Sequence, residues 1–294
     1  MFDGIIIKGV GGFYYIKTKE GIIESKARGV FREEKLTPLV GDKVRIRISE
    51  EDGKGYIDEI LERSSKLIRP SVANVTQAII VMSIKKPDLN PWLLDRFLIM
   101  AEHEGLKITI CINKVDLAED RAEIIKNIYE KIGYKVIATS TKYDIGIDAI
   151  KNALNNNITV FAGPSGAGKS SLLNKVNPDF SLETGDVSSK TKRGKHTTRH
   201  VELFDLDENS YVLDSPGFSS LNIDFIEDEV EVRDYFREIR RYGEKCRFLS
   251  CLHDKEPDCA VKKYVEEDVI DKIRYNNYVS FLEEIRKVRR NKYD

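Results

Sequence analysis

The sequence has few of the features that mark membrane-spanning, exported or disulfide-bonded proteins. No uncharged apolar run approaches about 18 residues, so a transmembrane helix is excluded. The start MFDGIIIKGVGG lacks the cationic end and the long apolar stretch of a signal peptide. Only four cysteines occur in 294 residues, which favours reduced thiols or metal ligands over disulfides. We therefore expect a cytoplasmic protein with no membrane partner.

An excess of charge of one sign is also lacking. The 48 Lys and Arg residues nearly cancel the 49 Asp and Glu residues, which leaves a net charge of −1. Such a chain has no overall attraction to nucleic acid, so binding of that kind would need local basic patches. The composition is globular, with 41% hydrophobic residues, and the length suits two or three domains. We expect domains at 1–66, 67–224 and 225–294.

Short apolar segments separated by glycines dominate residues 1–66. GIIIKG, GFYYIKT and GIIESKA are such segments, and VRIRI alternates strictly, with Val44, Ile46 and Ile48 on one face. About five short strands in this length predict a small β-barrel of the OB type, although an SH3-like barrel would give a similar pattern. Arginines accompany two aromatic residues here, as a solvated strand face or as a surface that faces RNA. These residues are Tyr15, Arg28, Phe31, Arg32, Arg45 and Arg47.

Continuous Val/Ile runs alternate with amphipathic helices across residues 67–224. AIIVMS is followed by a helix predicted from Pro91 to Gly105, and further strands are predicted at KITICIN, KVIATS and ITVFAG. This alternation indicates a mostly parallel sheet covered by helices on both faces, which is an α/β domain. Residues 225–294 consist instead of charged helical segments around a cluster of cysteines and a histidine.

That cluster predicts a structural zinc site. Cys246, Cys251, His253 and Cys259 have the spacing C-x4-C-x-H-x5-C. Three thiolates and one imidazole match a closed tetrahedral Zn²⁺ site, in which no coordination position is left open for chemistry. The alternative is a set of unrelated reduced thiols. Cys111 lies within the strand ITICI, where we expect a buried core residue.

The stretch FAGPSGAGKSSLLN predicts a phosphate-binding loop. Gly163, Gly168, Lys169 and Ser170 have the spacing G-x-x-x-x-G-K-S between a predicted strand and a predicted helix. Glycines allow backbone N–H groups to converge on phosphates at a helix N-terminus, whose dipole favours anions. Lys169 is expected to reach the β and γ phosphates, and the Ser170 hydroxyl to bind Mg²⁺. Nucleotide contacts are predicted at Gly163, Pro164, Ser165, Gly166, Ala167, Gly168, Lys169, Ser170 and Ser171.

An aspartate and a glycine follow the predicted strand SYVLD. Asp214 stands at the end of that strand, and Gly217 follows it in the sequence DSPGF. The pattern D-x-x-G is weak alone. After a phosphate loop it fits a second carboxylate on the Mg²⁺ side and a glycine N–H that senses the γ-phosphate. We expect these roles for Asp214 and Gly217.

A guanine-reading motif stands upstream of the phosphate loop, at the end of the strand ITICI. In NKVD, the Asp116 carboxylate can accept two hydrogen bonds from guanine, whereas adenine offers no such pair of donors. Asn113 is expected to brace the surrounding loops, and the Lys114 stem to cover the base. After the next strand, TSTK (139–142) can contact the guanine oxygen through its backbone. The predicted base contacts are Asn113, Lys114, Asp116, Leu117, Ser140, Thr141 and Lys142.

The parts of a GTPase are thus present in the order base reader, phosphate loop, metal and switch elements. Circular permutation is the simplest account, because parallel-sheet domains tolerate it when the original termini lie close together. The predicted fold is an α/β P-loop GTPase domain, circularly permuted and with a mostly parallel sheet. It is flanked by an N-terminal OB-type β-barrel and a C-terminal helical zinc-binding domain.

Several longer stretches resemble one family over essentially the full length of the chain. They are ARGVFR, TPLVGDKVRI, LIRPSVANVTQAIIVMS, LLDRFL, NKVDL, GPSGAGKSSLLN, RGKHTTRHVEL, DSPGF and the Cys/His cluster. In them the sequence resembles the ribosome small-subunit-dependent GTPase A family (RsgA or YjeQ). The resemblance implies a GTP hydrolase that acts in late maturation of the small ribosomal subunit and is stimulated by it. The implied partners are GTP and GDP, the small subunit with its rRNA, and other assembly factors, for a protein expected to be a monomer.

The motifs described so far do not include a residue that would orient the attacking water. Many GTPases have a water-orienting Gln directly after D-x-x-G, but that residue here is Phe218. Either the water is positioned by another group, or intrinsic hydrolysis is slow until a partner completes the site. The stretch SSKTKRGKHTTRH (188–200) lies where the first switch is expected.

The family resemblance assigns roles within that stretch. It implies His196 as a catalytic residue beside Lys169, with Lys195 where the family usually has Arg. Thr197 or Thr198 would complete the Mg²⁺ shell, and we favour Thr198. The alternative is a basic loop whose two histidines are incidental.

Cations also collect in the C-terminal region. They are either phosphate-binding groups or a solvated helix face, and they comprise Arg237, Arg240, Arg241, Lys245, Arg247 and the tail RKVRRNKYD. Because the chain enters this region directly after DSPGFSSL, we expect outer domains that grip RNA while the nucleotide state resets their geometry. Two other functional classes stay open. One is a P-loop ATPase or kinase with an accidental NKVD, and the other is an RNA-binding scaffold that uses GTP only as a structural ligand.

Overall fold

The structure is a computed structural model that describes residues 1–33, 36–50, 53–67, 70–182, 201–207, 209–213 and 221–293. The chain divides into two compact units. The first unit combines Met1–Ile79 with Gly146–Ser219, and the second combines Ile80–Ile145 with Ser220–Asp294. Each unit is therefore built from two separate stretches of the chain.

Five strands of the first unit close into a barrel in the order β1-β2-β3-β5-β4. They are β1 Phe2–Val10, β2 Phe13–Thr18, β3 Gly21–Ala27, β4 Lys43–Ile48 and β5 Gly55–Ile60, with the short helix α1 at Val30–Glu33. Neighbouring strands are antiparallel except β3 and β5, which are parallel. Val44 and Ile46 are fully buried, whereas Arg45 and Arg47 are exposed, as the alternation in VRIRI predicts. The predicted OB-type barrel is confirmed.

A buried carboxylate organises the chain that leaves the barrel. Asp42 is fully buried, and Arg63 donates to both of its oxygens at 2.7 Å. The neighbouring Gly41 has a φ of +89°, and a Cβ added to it would lie 2.1 Å from the carbonyl oxygen of Ala73. Only glycine fits this close approach. A small two-stranded sheet follows, formed by β6 Lys66–Leu67 and β7 Val72–Ala73.

The remainder of the first unit carries the predicted phosphate loop. β8 (Gln77–Ser83) begins in this unit, where Gln77 donates to the Ala153 carbonyl at 2.9 Å and to the Thr159 hydroxyl at 3.1 Å. The other elements are α4 Ile147–Leu154, β11 Ile158–Ala162, α5 Lys169–Val176, a 3-10 helix Pro178–Phe180, β12 Leu203–Asp207 and β13 Ser210–Leu213. β11 is parallel to β13, and β12 returns antiparallel to β13.

The second unit contains the rest of β8 and two further strands, in the order β10-β9-β8. Its first stretch holds α2 Pro91–His103, β9 Lys107–Asn113, a 3-10 helix Val115–Leu117, α3 Glu119–Lys131 and β10 Lys135–Thr139. α2 begins where predicted, because the Asn90 side chain accepts from Leu93 N at 3.2 Å and Pro91 occupies the first helical position. The C-terminal stretch adds a 3-10 helix Glu229–Tyr235, α6 Arg237–Gly243, α7 Ala260–Glu266 and α8 Lys272–Tyr293.

A buried charge network joins the C-terminal helices to α2 and α3. Arg274 on α8 is almost fully buried, and it donates to Asp95 on α2 and, at 2.7 Å, to Glu238 on α6. Tyr129 on α3 donates to Asp95 at 2.7 Å, and Asn277 donates to it at 2.6 Å. Burial raises the pKa of Asp95, and the Arg274 charge opposes that rise. The network is satisfied as a set, which a buried ion pair requires.

No helix in the described part of the chain combines the length and the apolar character needed to cross a bilayer.

Candidate functional site

The predicted phosphate loop lies between a strand and a helix, as its sequence requires. The residues Gly163, Pro164, Ser165, Gly166, Ala167, Gly168, Lys169, Ser170 and Ser171 run from the end of β11 into the first turn of α5. Gly163, Gly166 and Gly168 have φ values of 135°, 74° and 93°. This left-handed backbone favours glycine, and it lets successive N–H groups face a common point.

Lys169 is held over the loop that precedes it. Its ammonium donates to the carbonyls of Gly163 at 2.8 Å and of Pro164 at 2.9 Å. An ammonium has three N–H groups, so one further donor is available for an anion. Partial burial lowers the pKa of Lys169. Ser170 follows in the first turn of α5, at the helix end where the dipole favours anions.

The predicted base-reading residues lie at the carboxyl ends of two paired strands in the second unit. β9 and β10 are parallel, and their register sets Asn113 opposite Thr139. Asn113 is fully buried, and its Oδ1 accepts from the Thr139 hydroxyl at 3.0 Å. The Ser140 hydroxyl donates to Asp116 Oδ1 at 2.6 Å. Two consecutive residues, Thr139 and Ser140, thus orient the Asn113 and Asp116 side chains of NKVD.

From the sequence we predicted only backbone contacts for the TSTK segment. The hydrogen bonds of the Thr139 and Ser140 side chains were not predicted. Hydroxyl residues at the end of β10 were the available signal, but their partners lie at the end of β9 and in the 3-10 helix that follows it. Ser140 also exchanges backbone hydrogen bonds of 3.0 Å with Ile145, which closes the turn that contains Thr141 and Lys142. Of the other predicted contacts, Lys114 directly precedes the 3-10 helix that carries Asp116, and Leu117 is the last residue of that helix.

The phosphate loop belongs to the first unit, whereas the NKVD and TSTK residues belong to the second. Several other predicted site residues lie outside the described part of the chain. They are Lys195, His196, Thr197, Thr198, Asp214, Gly217 and Phe218.

The four predicted zinc ligands converge in the second unit. Cys246, Cys251, His253 and Cys259 place their ligand atoms within 4.8 Å of one another. Cys259 Sγ lies 3.8 Å from each of the other two sulfurs, and His253 Nδ1 lies 3.4 and 3.5 Å from Cys259 and Cys246 Sγ. Tetrahedral bonds of about 2.3 Å to sulfur and 2.0 Å to nitrogen would give separations of about 3.8 and 3.5 Å. The cluster can therefore hold a metal ion, and its geometry suits zinc.

Burial disfavours the charged forms of the His253 imidazole and the Cys251 thiol when no metal is bound. Burial lowers the pKa of His253 to about 4, so its imidazole is neutral at neutral pH. Burial raises the pKa of Cys251 to about 12, and a coordinated cation is what deprotonates such a thiol. Gly243 provides room for the ring, because a Cβ there would lie 2.9 Å from His253 Nε2.

Hydrogen bonds from α8 and from within the loop support the ligands. Tyr275 and Tyr278 donate to the carbonyls of His253 and Leu252, each at 2.8 Å. The Glu256 carboxylate accepts hydrogen bonds from Leu252 N at 2.7 Å and from Asp254 N at 3.0 Å. Such outer contacts fix ligand orientation in metal sites.

The C-terminal cations separate into paired and unpaired groups. Arg237 donates to Glu102 at 2.6 Å and to the Gly133 carbonyl, and Lys245 donates to a tyrosine hydroxyl at 2.7 Å. Arg240 and Arg241 are exposed and line an open cavity of 360 Å³ that Glu238 and Glu244 also line. Within the described residues, neither of these arginines has a carboxylate at ion-pair distance. They can therefore meet an external anion.

The predicted barrel surface of arginines and aromatic residues is only partly exposed in the structure. Phe31 is buried, with 5% of its surface exposed, so the prediction that its ring accompanies a surface is wrong. The sequence pattern around Phe31 could not show that its ring is buried. Arg28 and Arg47 share Asp58 at 3.1 and 3.6 Å, and Arg45 pairs with Glu59 at 2.7 Å. These three arginines are exposed and form ion pairs with carboxylates of the same barrel.

Comparison with known proteins identifies the family. The RsgA GTPase family model matches residues 60–224, and the RsgA N-terminal domain model matches residues 3–57. A protein of Alkaliphilus metalliredigens named small ribosomal subunit biogenesis GTPase RsgA is 50% identical, over 99% of this chain and 100% of its own. A protein of the same name from Clostridium perfringens is 54% identical, over 96% of this chain and 98% of its own.

Two solved structures share the fold. The crystal structure of YloQ, described as a circularly permuted GTPase, is 41% identical, covers 98% of this chain and 96% of its own, and has a TM-score of 0.82. YjeQ from Thermotoga maritima is 36% identical, covers 97% and 98%, and has a TM-score of 0.83. This chain has a β-barrel before the predicted phosphate loop and a Cys3His cluster after it, and it belongs to the RsgA GTPase family as a circularly permuted GTP hydrolase.

Proposed function

We propose that this GTPase binds the small ribosomal subunit and hydrolyses GTP to GDP and phosphate in late maturation of that subunit, stimulated by it. The observation that carries the proposal is the pair of strand ends that orients Asn113 and Asp116 upstream of a phosphate loop. That arrangement occurs in a chain similar over nearly its full length to small ribosomal subunit biogenesis GTPases. Such a role places the protein in the cytoplasm, where we propose it acts as a monomer.

Each part of the nucleotide has a proposed set of residues. The Asp116 carboxylate, oriented by Ser140, accepts from guanine, and Lys114, Leu117, Thr141 and Lys142 complete the base contacts. The phosphates bind the loop that ends at Ser171, with the free N–H of Lys169 directed to the β and γ groups. The left-handed glycines and the Lys169 hydrogen bonds support this proposal.

Two metals are proposed. Mg²⁺ would be held by Ser170, Thr198 and Asp214, and when bound it neutralises charge on the phosphates. Zn²⁺ would be held by the Cys3His cluster as a structural ion, because four protein ligands leave no open position. The sulfur–sulfur and sulfur–nitrogen separations support zinc.

For catalysis we propose His196 as the group that orients water in place of the missing Gln, with Gly217 sensing the γ-phosphate. Charge on the loop around His196 and at Arg240 and Arg241 suits contact with rRNA phosphates. We also propose that the chain functions as the three domains 1–66, 67–224 and 225–294, with other assembly factors as further partners.

Hydrolysis with and without purified small ribosomal subunits tests the proposal. We expect GTP turnover to rise at least about tenfold with subunits, with ATP not hydrolysed and with His196→Ala losing the stimulation while it still binds GTP. Turnover of ATP would favour an ATPase or kinase. GTP binding without stimulated turnover would favour the scaffold that uses GTP as a structural ligand.

A further inference from the structure

Arg96 on α2 makes an unusual set of contacts within the second unit. Its two terminal nitrogens donate to the two carboxylate oxygens of Glu284 on α8, each at 2.7 Å. Its third donor, Nε, donates to the backbone carbonyl of Leu221. The guanidinium also lies 5.0 Å from the ring centre of Trp92 and 5.8 Å from that of Phe281. A planar fork that meets three acceptors and two rings at once is available to Arg and not to Lys.

The Leu221 carbonyl gives this arrangement its significance. Leu221 is the first described residue after DSPGF, and only three residues separate it from Gly217. Because Arg96 bonds a main-chain oxygen, it holds the chain itself at this point, whatever the side chain there. Arg96 is 7% exposed, so water competes little for the guanidinium, and charge-assisted bonds of this kind are strong.

Arg96 is not the only residue that attaches α8 to α2 within the described part of the chain. Asp95, the preceding residue, pairs with the buried Arg274 and accepts from Asn277 at 2.6 Å. Two ion pairs thus join α2 to α8. In one, Asp95 of α2 pairs with Arg274 of α8, and in the other, Arg96 of α2 pairs with Glu284 of α8. The first pair is fully buried, whereas the Glu284 side chain is 32% exposed. What Arg96 alone supplies is the bond to Leu221.

We infer that Arg96 is a positioning residue for GTP hydrolysis, which fixes the chain directly after DSPGF to α2 and α8. This inference rests on the proposed function, in which Asp214 and Gly217 serve the metal and the γ-phosphate. Holding Leu221 restricts where the preceding residues can lie, and catalysis is sensitive to displacements of about 1 Å. Through Glu284 and Arg96, α8 is thereby linked to Leu221, four positions after Gly217 in the sequence.

The test compares Arg96→Gln and Arg96→Lys with Glu284→Gln as the matched control. Single-turnover GTP hydrolysis is measured with and without small subunits, and GDP affinity is measured in parallel because GDP lacks the γ-phosphate. We expect Arg96→Gln to lower kcat about tenfold with GDP affinity and KM within about twofold of wild type. Arg96→Lys should fall between, since one ammonium cannot meet all three acceptors. Glu284→Gln keeps the Leu221 bond and should change kcat less than twofold.

Unchanged kcat in Arg96→Gln would overturn the inference, and so would an equal loss in Glu284→Gln, because the effect would then belong to the attachment of α8. If Arg96→Gln does not fold, Arg96→Lys decides by the same two criteria. Asp214→Asn separates the inference from the proposed function. If Asp214→Asn hydrolyses GTP normally, the assigned role of DSPGF fails. If it is inactive while Arg96→Gln is normal, only the role of Arg96 fails.

Discussion

Two contacts, one within each unit, differ in the burial of their ion pairs. One joins the barrel to the segment around β12, and the other joins α8 to α2. In the first unit, Lys8 of the barrel pairs with Glu202 at 2.7 Å, and Lys17 pairs with Asp205 on β12. All four side chains keep between 25% and 39% of their surface exposed. In the second unit, Arg274 and Asp95 are at most 2% exposed. Exposed pairs are worth little and weaken in salt, whereas a broken buried pair is costly. We therefore expect the barrel contact to be the weaker and more salt-dependent of the two.

The largest effect is expected from removing the buried cation. Arg274→Met leaves Asp95 and Glu238 without their partner, and we expect the free energy of unfolding to fall by about 3–5 kcal/mol. Denaturant titration followed by fluorescence measures this directly, because the single tryptophan of the chain, Trp92, stacks on Phe281 of α8 at 5.1 Å. Lys287→Met, which removes an exposed cation of the same helix, should change stability by less than about 0.5 kcal/mol.

A pH series sharpens that prediction. Burial raises the pKa of Asp95, and Arg274 opposes the rise, so without Arg274 the pKa rises further. An acid with a raised pKa in the folded state contributes stability at low pH that is lost as the pH increases. The penalty in Arg274→Met should thus be smaller at about pH 5 than at about pH 8. An equal penalty at both would show that the carboxylates are not left charged and unpaired.

An intermediate effect is expected at the metal cluster. In Gly243→Ala the new Cβ would lie 2.9 Å from His253 Nε2. We expect the free energy of unfolding to fall by about 1–3 kcal/mol, together with weaker retention of the proposed zinc ion. Competition with a chromogenic chelator measures retention, with Glu244→Ala as the exposed neighbouring control. Retention equal to wild type would mean that the ring does not depend on the space at Gly243.

The smallest effect is expected where the barrel meets β12. A double-mutant cycle of Lys8→Ala and Glu202→Ala should give a coupling of at most about 1 kcal/mol. This coupling should shrink as salt is raised from about 0.05 to 0.5 M. A larger, salt-independent coupling would remove the difference between the two units.

Local patterns predicted much of the site and little of what supports it. The glycine spacing of the phosphate loop, the alternation of Val44 and Ile46 and the Cys/His spacing from Cys246 to Cys259 depend on near neighbours in sequence. In the structure the loop glycines have positive φ values, Val44 and Ile46 are buried, and the four Cys and His side chains converge. Asp95 and Arg274 lie 179 positions apart. No local sequence pattern indicates that these two residues form a pair, because the packing of the helices determines which buried charges meet. The same reason hid the Ser140–Asp116 bond, which depends on strand register.

We propose that the NKVD segment, which precedes the phosphate loop in the chain, selects guanine through Asp116. One substitution tests this selection directly. Asp116→Asn replaces an acceptor oxygen by an amide that can donate to the 2-oxygen of xanthine. Equilibrium binding of GTP, ATP and xanthosine triphosphate should show GTP affinity reduced at least about a hundredfold and xanthosine triphosphate preferred. Unchanged GTP affinity, or equal loss for all three nucleotides, would contradict the claim.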